Sequence, residues 1–347
     1  MFRRKLLWAI AMLGLLICGF FAYQIYSAIF SPNTAFENEK AFVFIPSDAT
    51  IDTVAHRLSP LLMDLNTFKS VADRKGYTNN IKGGKFAINK GMNNNEVINA
   101  LRSGNLPVKV SFNNQETLAD LAGRIAEQIE ADSLSLLKAF NDSDFIQQHG
   151  FSEATKLSIY LPNTYEFFWN TDAVAFRDRM LKEYNRFWSS ERLKKADNLN
   201  LNPQEVSTLA SIVQKETVKT DERPRVAGVY LNRLKKGIAL QADPTVIYAI
   251  KKETGNYDTV IKRVLYRDLE MDSPYNTYKY AGLPPGPITM PDISSLEAVL
   301  NPEKHRYLFF VADVSNFGYH MFAETLAQHN RNKVQYIRWV NSQRINR

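Results

Sequence analysis

Between Leu6 and Phe30 the chain carries an almost unbroken apolar run, LLWAIAMLGLLICGFFAYQIYSAIF. As a helix it is long enough to cross about 30 Å of hydrocarbon. Phe2-Arg3-Arg4-Lys5 puts positive charge before the run, while Ser31 to Lys40 after it holds two Glu and one Lys. The excess of cations on the short side places residues 1–5 in the cytoplasm and everything beyond the run outside it. The expectation is a single-pass protein of the inner (cytoplasmic) membrane, with its bulk on the periplasmic or extracytoplasmic side.

A cleaved signal peptide is the rival, but its hydrophobic region would be about 7–15 residues with a small-residue cleavage site. This run is longer, and Tyr26-Ser27-Ala28 is a poor site. Ile17 stands where a small residue would precede a lipidated Cys18. An uncleaved anchor over residues 6–30 is the better reading. Cys18 is the only cysteine, so the exported part has no thiol nucleophile, disulfide or thiolate metal site.

Residues 31–40 read as a short polar linker. From 41 to 110 comes a small α/β module. It has a strand near Phe42–Ile45, helices near Thr50–Leu62 and Asn66–Lys75, a strand at Phe86–Ile88, and a helix from Asn94 or Asn95 to Gly104. This stretch resembles a LysM-type module, a class that grips N-acetylated glycans; a structural spacer would show a similar pattern. Residues 111–347 then read as a mixed, largely helical domain with short strands. Asn202-Pro203-Gln204-Glu205 is a helix start with cap, first-turn proline and capping-box Glu in place. Ser294-Ser295-Leu296-Glu297 resembles another, and the stretch 149–171 reads as extended loop. The fold class expected is α+β: one N-terminal transmembrane helix, the LysM-like module, and the largely helical domain.

Net charge is +7, but the cations are dispersed among Asp and Glu. With no helix-turn-helix, zinc-finger or RNP pattern, nucleic acid is not an expected partner. GxSxG, P-loop, GxGxxG and HExxH motifs are all absent from the sequence, and the five histidines are scattered. No cofactor and no metal site is expected.

Acids, amides and aromatics remain. In Leu209-Ala210-Ser211-Ile212-Val213-Gln214-Lys215-Glu216-Thr217, residues Leu209, Ile212, Val213 and Glu216 share one helical face. An apolar stripe thus ends in an acid, while Lys215 points elsewhere. Desolvation there would raise the acid's proton affinity toward neutral pH. A helix-end Glu that merely reaches solvent would give the same spacing. The loop from Ser273 to Pro287 is stiffened by four prolines and dense in tyrosine, which suits stacking on sugar rings.

Together LPNTYEF, ASIVQKET, RVAGVYLNRL, LQADPTVIYA, SPYNTYKYAGLPPGPI, NPEKHRYLFFVAD and GYHMFAETLAQHN resemble the MltG (YceG-like) endolytic murein transglycosylases along essentially the whole chain. The resemblance implies an enzyme that cuts nascent peptidoglycan strands between MurNAc and GlcNAc, leaves 1,6-anhydro-MurNAc ends, and terminates glycan polymerisation beside peptidoglycan synthases. It implies Glu216 as general acid, then base. It implies substrate contacts from Tyr165, Gln241, Asp243, Thr245, Tyr275, Asn276, Thr277, Tyr278, His320 and Glu324. Gln214 departs from the family's E-K-E-T block, Asn163 replaces an Asp, and Ala323 replaces a common Ser. Two alternatives stay open: a non-catalytic anchored protein that binds peptidoglycan and recruits wall-synthesis enzymes, and a lysozyme-like hydrolase.

Overall fold

The computed structural model describes residues 2–342; Met1 of the expected cytoplasmic N-terminus and residues 343–347 of the expected catalytic domain lie outside the described residues. The architecture is α+β, with an N-terminal apolar helix, many short helices and small two-stranded sheets. By internal contacts the chain divides into two units. Among the described residues the first holds those up to 110, 127–131 and 165–172, and the second holds 111–126, 132–164 and those from 173 on.

Helix α1 (Phe2–Phe30) opens the first unit, is long and apolar enough to cross a membrane, and buries no residue fully. Strand β1 (Lys40–Ile45), helices α2 (Ile51–Leu58) and α3 (Leu65–Arg74), strand β2 (Gly84–Asn89), helix α4 (Asn94–Ser103) and strand β3 (Pro107–Phe112) follow. β1 and β2 pair antiparallel, from Lys40 opposite Asn89 to Ile45 opposite Gly84. Alternation along the pleat sends Val43 and Ile45 inward with Phe86 and Ile88, onto Leu58, Phe68, Ile98 and Leu101. Thr50, Asp64 and Asn93 cap the three helices, Asn93 in a reciprocal box with Glu96.

The polar stretch after α1 is largely exposed but is tied to this unit at several points. Asn33 is buried, and its amide donates to Asp64 O at 2.8 Å and Asn94 Oδ1 at 2.7 Å. Asn94, also buried, donates back to Ala28 O, the last turn of α1, at 2.8 Å. Backbone bonds Asn33 N to Met92 O and Ala35 N to Leu61 O complete the join.

The second unit contains α5 (Leu118–Ala126), α6 (Ser133–Phe140) and α7 (Ser143–Gln148). β4 (Asn163–Phe168), inside the stretch read as extended loop, belongs to the first unit from Tyr165 on and pairs there with β3. Then come α8 (Ala173–Phe187), α9 (Ser190–Asn198), α10 (Pro203–Glu216), α11 (Arg223–Lys235), α12 (Asp243–Thr254), α13 (Ile293–Leu300), the hairpin β5 (Phe309–Ala312) and β6 (His320–Ala323), and α14 (Leu326–Ser342). Helix α10 is the hub, packed against α9, α11, α12 and α13. The start of α13 differs from the sequence expectation: Asp292 is its cap, accepting from Ser295 N, and Ser294 donates to that same carboxylate. Asp outcompetes Ser because its ionised oxygen accepts two donors here.

Candidate active site

α10 begins at a capping box between Asn202 and Glu205 with Pro203 in its first turn. Val206, Leu209, Ala210, Ile212 and Val213 have no exposure, so the apolar stripe is core. The buried hydroxyls of Ser207, Thr208 and Ser211 donate to carbonyls one turn back, at 2.7–3.0 Å. That lets the helix be enclosed on several sides without orphaned polar atoms. Lys215 does point elsewhere, pairing with Glu116 at 2.5 Å, as does Lys251 at 2.7 Å. Gln214 Oε1 accepts from Asp292 N at 2.6 Å and from Ser295 Oγ at 3.2 Å, so it fastens α13.

Glu216 ends the helix half-buried, and the Tyr230 hydroxyl from α11 donates to its Oε1 at 2.5 Å. Desolvation pushes its pKa up to about 7, with the negative charge of Asp243 adding to the rise. The Tyr230 hydrogen bond, His320 and Arg233 oppose it. A carboxyl so placed is protonated in part at neutral pH and can both give and take a proton. Tyr230→Phe removes the bond that favours the charged form, so the pH at which activity falls on the alkaline side is expected to move upward. A pH–rate profile checks this; an unchanged or lowered limb contradicts it.

Arg233, one turn beyond Tyr230, is buried and organises the loop opposite. It donates to Leu308 O at 2.6 Å, Leu240 O at 2.9 Å, Ala239 O at 3.0 Å and Gln241 Oε1 at 3.3 Å. Gln241, one of the expected site residues, is exposed and takes a left-handed φ of 51°. For a non-glycine residue such a backbone persists only where its surroundings hold it. Gln241 N bonds Thr277 O at 3.0 Å, which with Arg233 supplies that hold. Asp243 is exposed at the start of α12 and accepts from the Tyr278 hydroxyl at 2.5 Å.

The remaining expected residues divide by where their polar atoms go. Thr245 and Thr277 are buried and share a hydrogen bond at 2.8 Å, and Thr277 also accepts from Ala242 N at 3.0 Å. Asn276 has no exposure; its amide donates to Leu269 O and Met271 O, both at 2.8 Å. Tyr275 is buried against Tyr248 with ring centroids 4.8 Å apart. These four shape the loop from inside. Gly286 lets that loop close on the chain, since a Cβ there would stand 1.9 Å from Ala154 O.

His320, from β6, bonds Glu222, while Glu324 pairs with Arg306 at 3.0 Å. Tyr165 is buried in β4 and belongs to the first unit. Glu216, Gln241, Asp243, Tyr278 and His320 therefore keep side chains open to solvent in part or in full within the second unit. Tyr230, Arg233 and Glu222 contact the candidate residues Glu216, Gln241 and His320 and were not singled out beforehand. A signal existed: Val226, Val229, Tyr230 and Arg233 repeat on α11 the spacing that marked Glu216 on α10.

A family model described as the YceG-like family matches residues 43–335. An endolytic murein transglycosylase of Bacillus subtilis is 32% identical over 344 residues, covering 93% of this chain and 91% of that protein. One from Streptococcus pneumoniae is 29% identical over 354 residues, covering 92% of this chain but only 62% of its own length. The crystal structure of a YceG-like protein from Listeria monocytogenes aligns with a TM-score of 0.55 and 30% identity, over 85% of this chain and 99% of that one.

Proposed function

Since this chain belongs to the YceG-like family, we propose that it is an endolytic murein transglycosylase that cuts peptidoglycan strands from a membrane anchor, with Glu216 as its acid and base. The observation that carries the mechanism is the Glu216 carboxyl, desolvated at the end of α10 and holding its proton up to about 7. The acid protonates the glycosidic oxygen as the bond to the MurNAc anomeric carbon breaks. The resulting carboxylate takes the proton of that sugar's 6-hydroxyl, whose oxygen closes on the anomeric carbon. The proton count balances, no water is consumed, and the product is an anhydro ring. Tyr230 steadies the carboxylate between the two steps, while Gln241, Asp243, Tyr278 and His320 are the substrate contacts.

α1 serves as the anchor, with the basic residues 3–5 on the cytoplasmic side and both units beyond the membrane. The strand–helix–helix–strand order over Lys40–Asn89 supports reading residues 41–110 as the LysM-like module, next to the catalytic domain 111–347. Peptidoglycan synthases are the partners whose product such an enzyme would trim.

The full chain in detergent, given purified uncrosslinked glycan, is expected to yield fragments one water lighter than hydrolysis products, read by mass spectrometry. The Asp243 carboxylate in electrostatic reach of Glu216 gives a hydrolase its second carboxylate, so reducing ends would install that reading instead. Binding without any cut would make the chain a recruiting scaffold.

A further inference from the structure

A contact circuit surrounds the end of α10, and one buried carboxylate in it takes no part in the proton transfers above. Glu222 is 3% exposed, at the N-terminal end of α11. It accepts from the His320 backbone N–H at 2.7 Å, and its other oxygen lies 2.8 Å from His320 Nδ1. The hydroxyl of Thr217, the residue after Glu216, bonds the same carboxylate. Burial alone would raise the Glu222 carboxyl, but the bonds from His320 and Thr217 outweigh it and hold it below the usual range.

An ionised carboxylate only accepts, so Nδ1 carries a proton, and in the singly protonated ring Nε2 on the opposite edge is a lone-pair acceptor. Among the described residues Nε2 has no hydrogen-bond partner, and the side chain is 16% exposed. The ring is fixed edge-on by Phe310 at 5.1 Å. Phe310 packs in turn on Tyr230 at 5.9 Å, and Tyr230 bonds Glu216. His320 also lies within electrostatic reach of the Glu216 carboxyl.

We propose that Glu222 is a positioning residue: it fixes His320 in the Nδ1–H form, so that Nε2 stands beside Glu216 as an acceptor for an O–H or N–H of the bound sugar. N-acetylated sugars carry such donors on their hydroxyl and acetamido groups. The proposal rests on the transglycosylase reading and adds to it an acceptor near the single acid, present whenever the ring carries one proton; a wild-type ring protonated on both nitrogens overturns it.

Glu222→Gln tests it, because an amide replaces an all-acceptor group that serves three donors. The conflict is relieved when Gln donates to Nδ1 and the ring proton moves to Nε2. Nitrogen NMR of labelled histidine is expected to show a bare Nε2 in the wild type and a protonated one in the variant. Cleavage kcat should fall on the order of 100-fold, while KM stays within a few-fold. His320→Gln, whose amide oxygen can stand in for Nε2, should keep more activity than His320→Phe. A switched ring with unchanged kcat overturns the proposal, and so does a ring that never switches. Should Glu222→Gln fail to fold, glycan added to the Glu216→Gln protein must shift the wild-type His320 Nε2 resonance; no shift is a refutation. The ring is read without turnover, so reducing ends in the product remove the transglycosylase reading and leave this result standing.

Discussion

Glu216→Gln is expected to abolish glycan cleavage while leaving the fold intact. Glutamine can still accept from Tyr230, but it has no proton to transfer, and in the proposed mechanism both halves of the reaction pass through this one group. General acid–base help from a single side chain is worth roughly 10²–10⁴-fold, and here one side chain supplies it twice. Stability carries an independent signature. Folding raises this carboxyl from 4.5 to about 7, so between those values the folded chain binds more protons than the unfolded one. Stability from this group is therefore full below about 4.5 and falls as pH rises toward 7. Above that, the buried charge costs roughly 3 kcal/mol at most. The Gln variant should melt higher than wild type near pH ~8 and alongside it near pH ~5. Near wild-type cleavage by the variant would remove Glu216 from the mechanism, and equal melting at both pH values would contradict its desolvation.

Arg233→Met should be among the most damaging changes in the second unit. Methionine keeps much of the stem but strips donors from three backbone carbonyls and from Gln241. Hydrogen bonds to a charged group are worth roughly 1.5–3 kcal/mol each, and carbonyls left buried add their own desolvation cost. A loss of at least ~3 kcal/mol follows, seen as a clear drop in melting temperature. Activity should fall further than stability explains, because the left-handed backbone at Gln241 loses one of its two restraints. With a nearby cation gone, the Glu216 carboxyl should also titrate higher. Melting within about a degree of wild type would show that the guanidinium is not the strut described here.

What could be read from the sequence follows the range of the interaction that fixes each feature. The capping box at Asn202 lies within four residues and is visible as a string, whereas the run Asn93-Asn94-Asn95 offers three candidate caps and only the structure selects Asn93. The Glu216 stripe is legible because helical periodicity is local, and the matching stripe ending at Arg233 obeys the same rule. The bond between His320 and Glu222 joins residues 98 apart, and no short pattern announces it. Asn276, Thr277 and Thr245 look by residue type like sugar contacts, yet the loop consumes their polar atoms internally. Strand β4 is short and pairs with the distant β3, so it reads as loop until the sheet exists. The same holds for Asn33, whose amide finds Asn94 only after α4 has packed.

That last pair has a mechanical meaning. Asn94 bonds the final turn of α1 while Asn33 bonds Asn94, leaving no free chain between helix and module. With α1 set in a bilayer, the module has no swivel. A tilt of the helix would carry the module with it. A helix held upright would keep the module close to the surface that holds it.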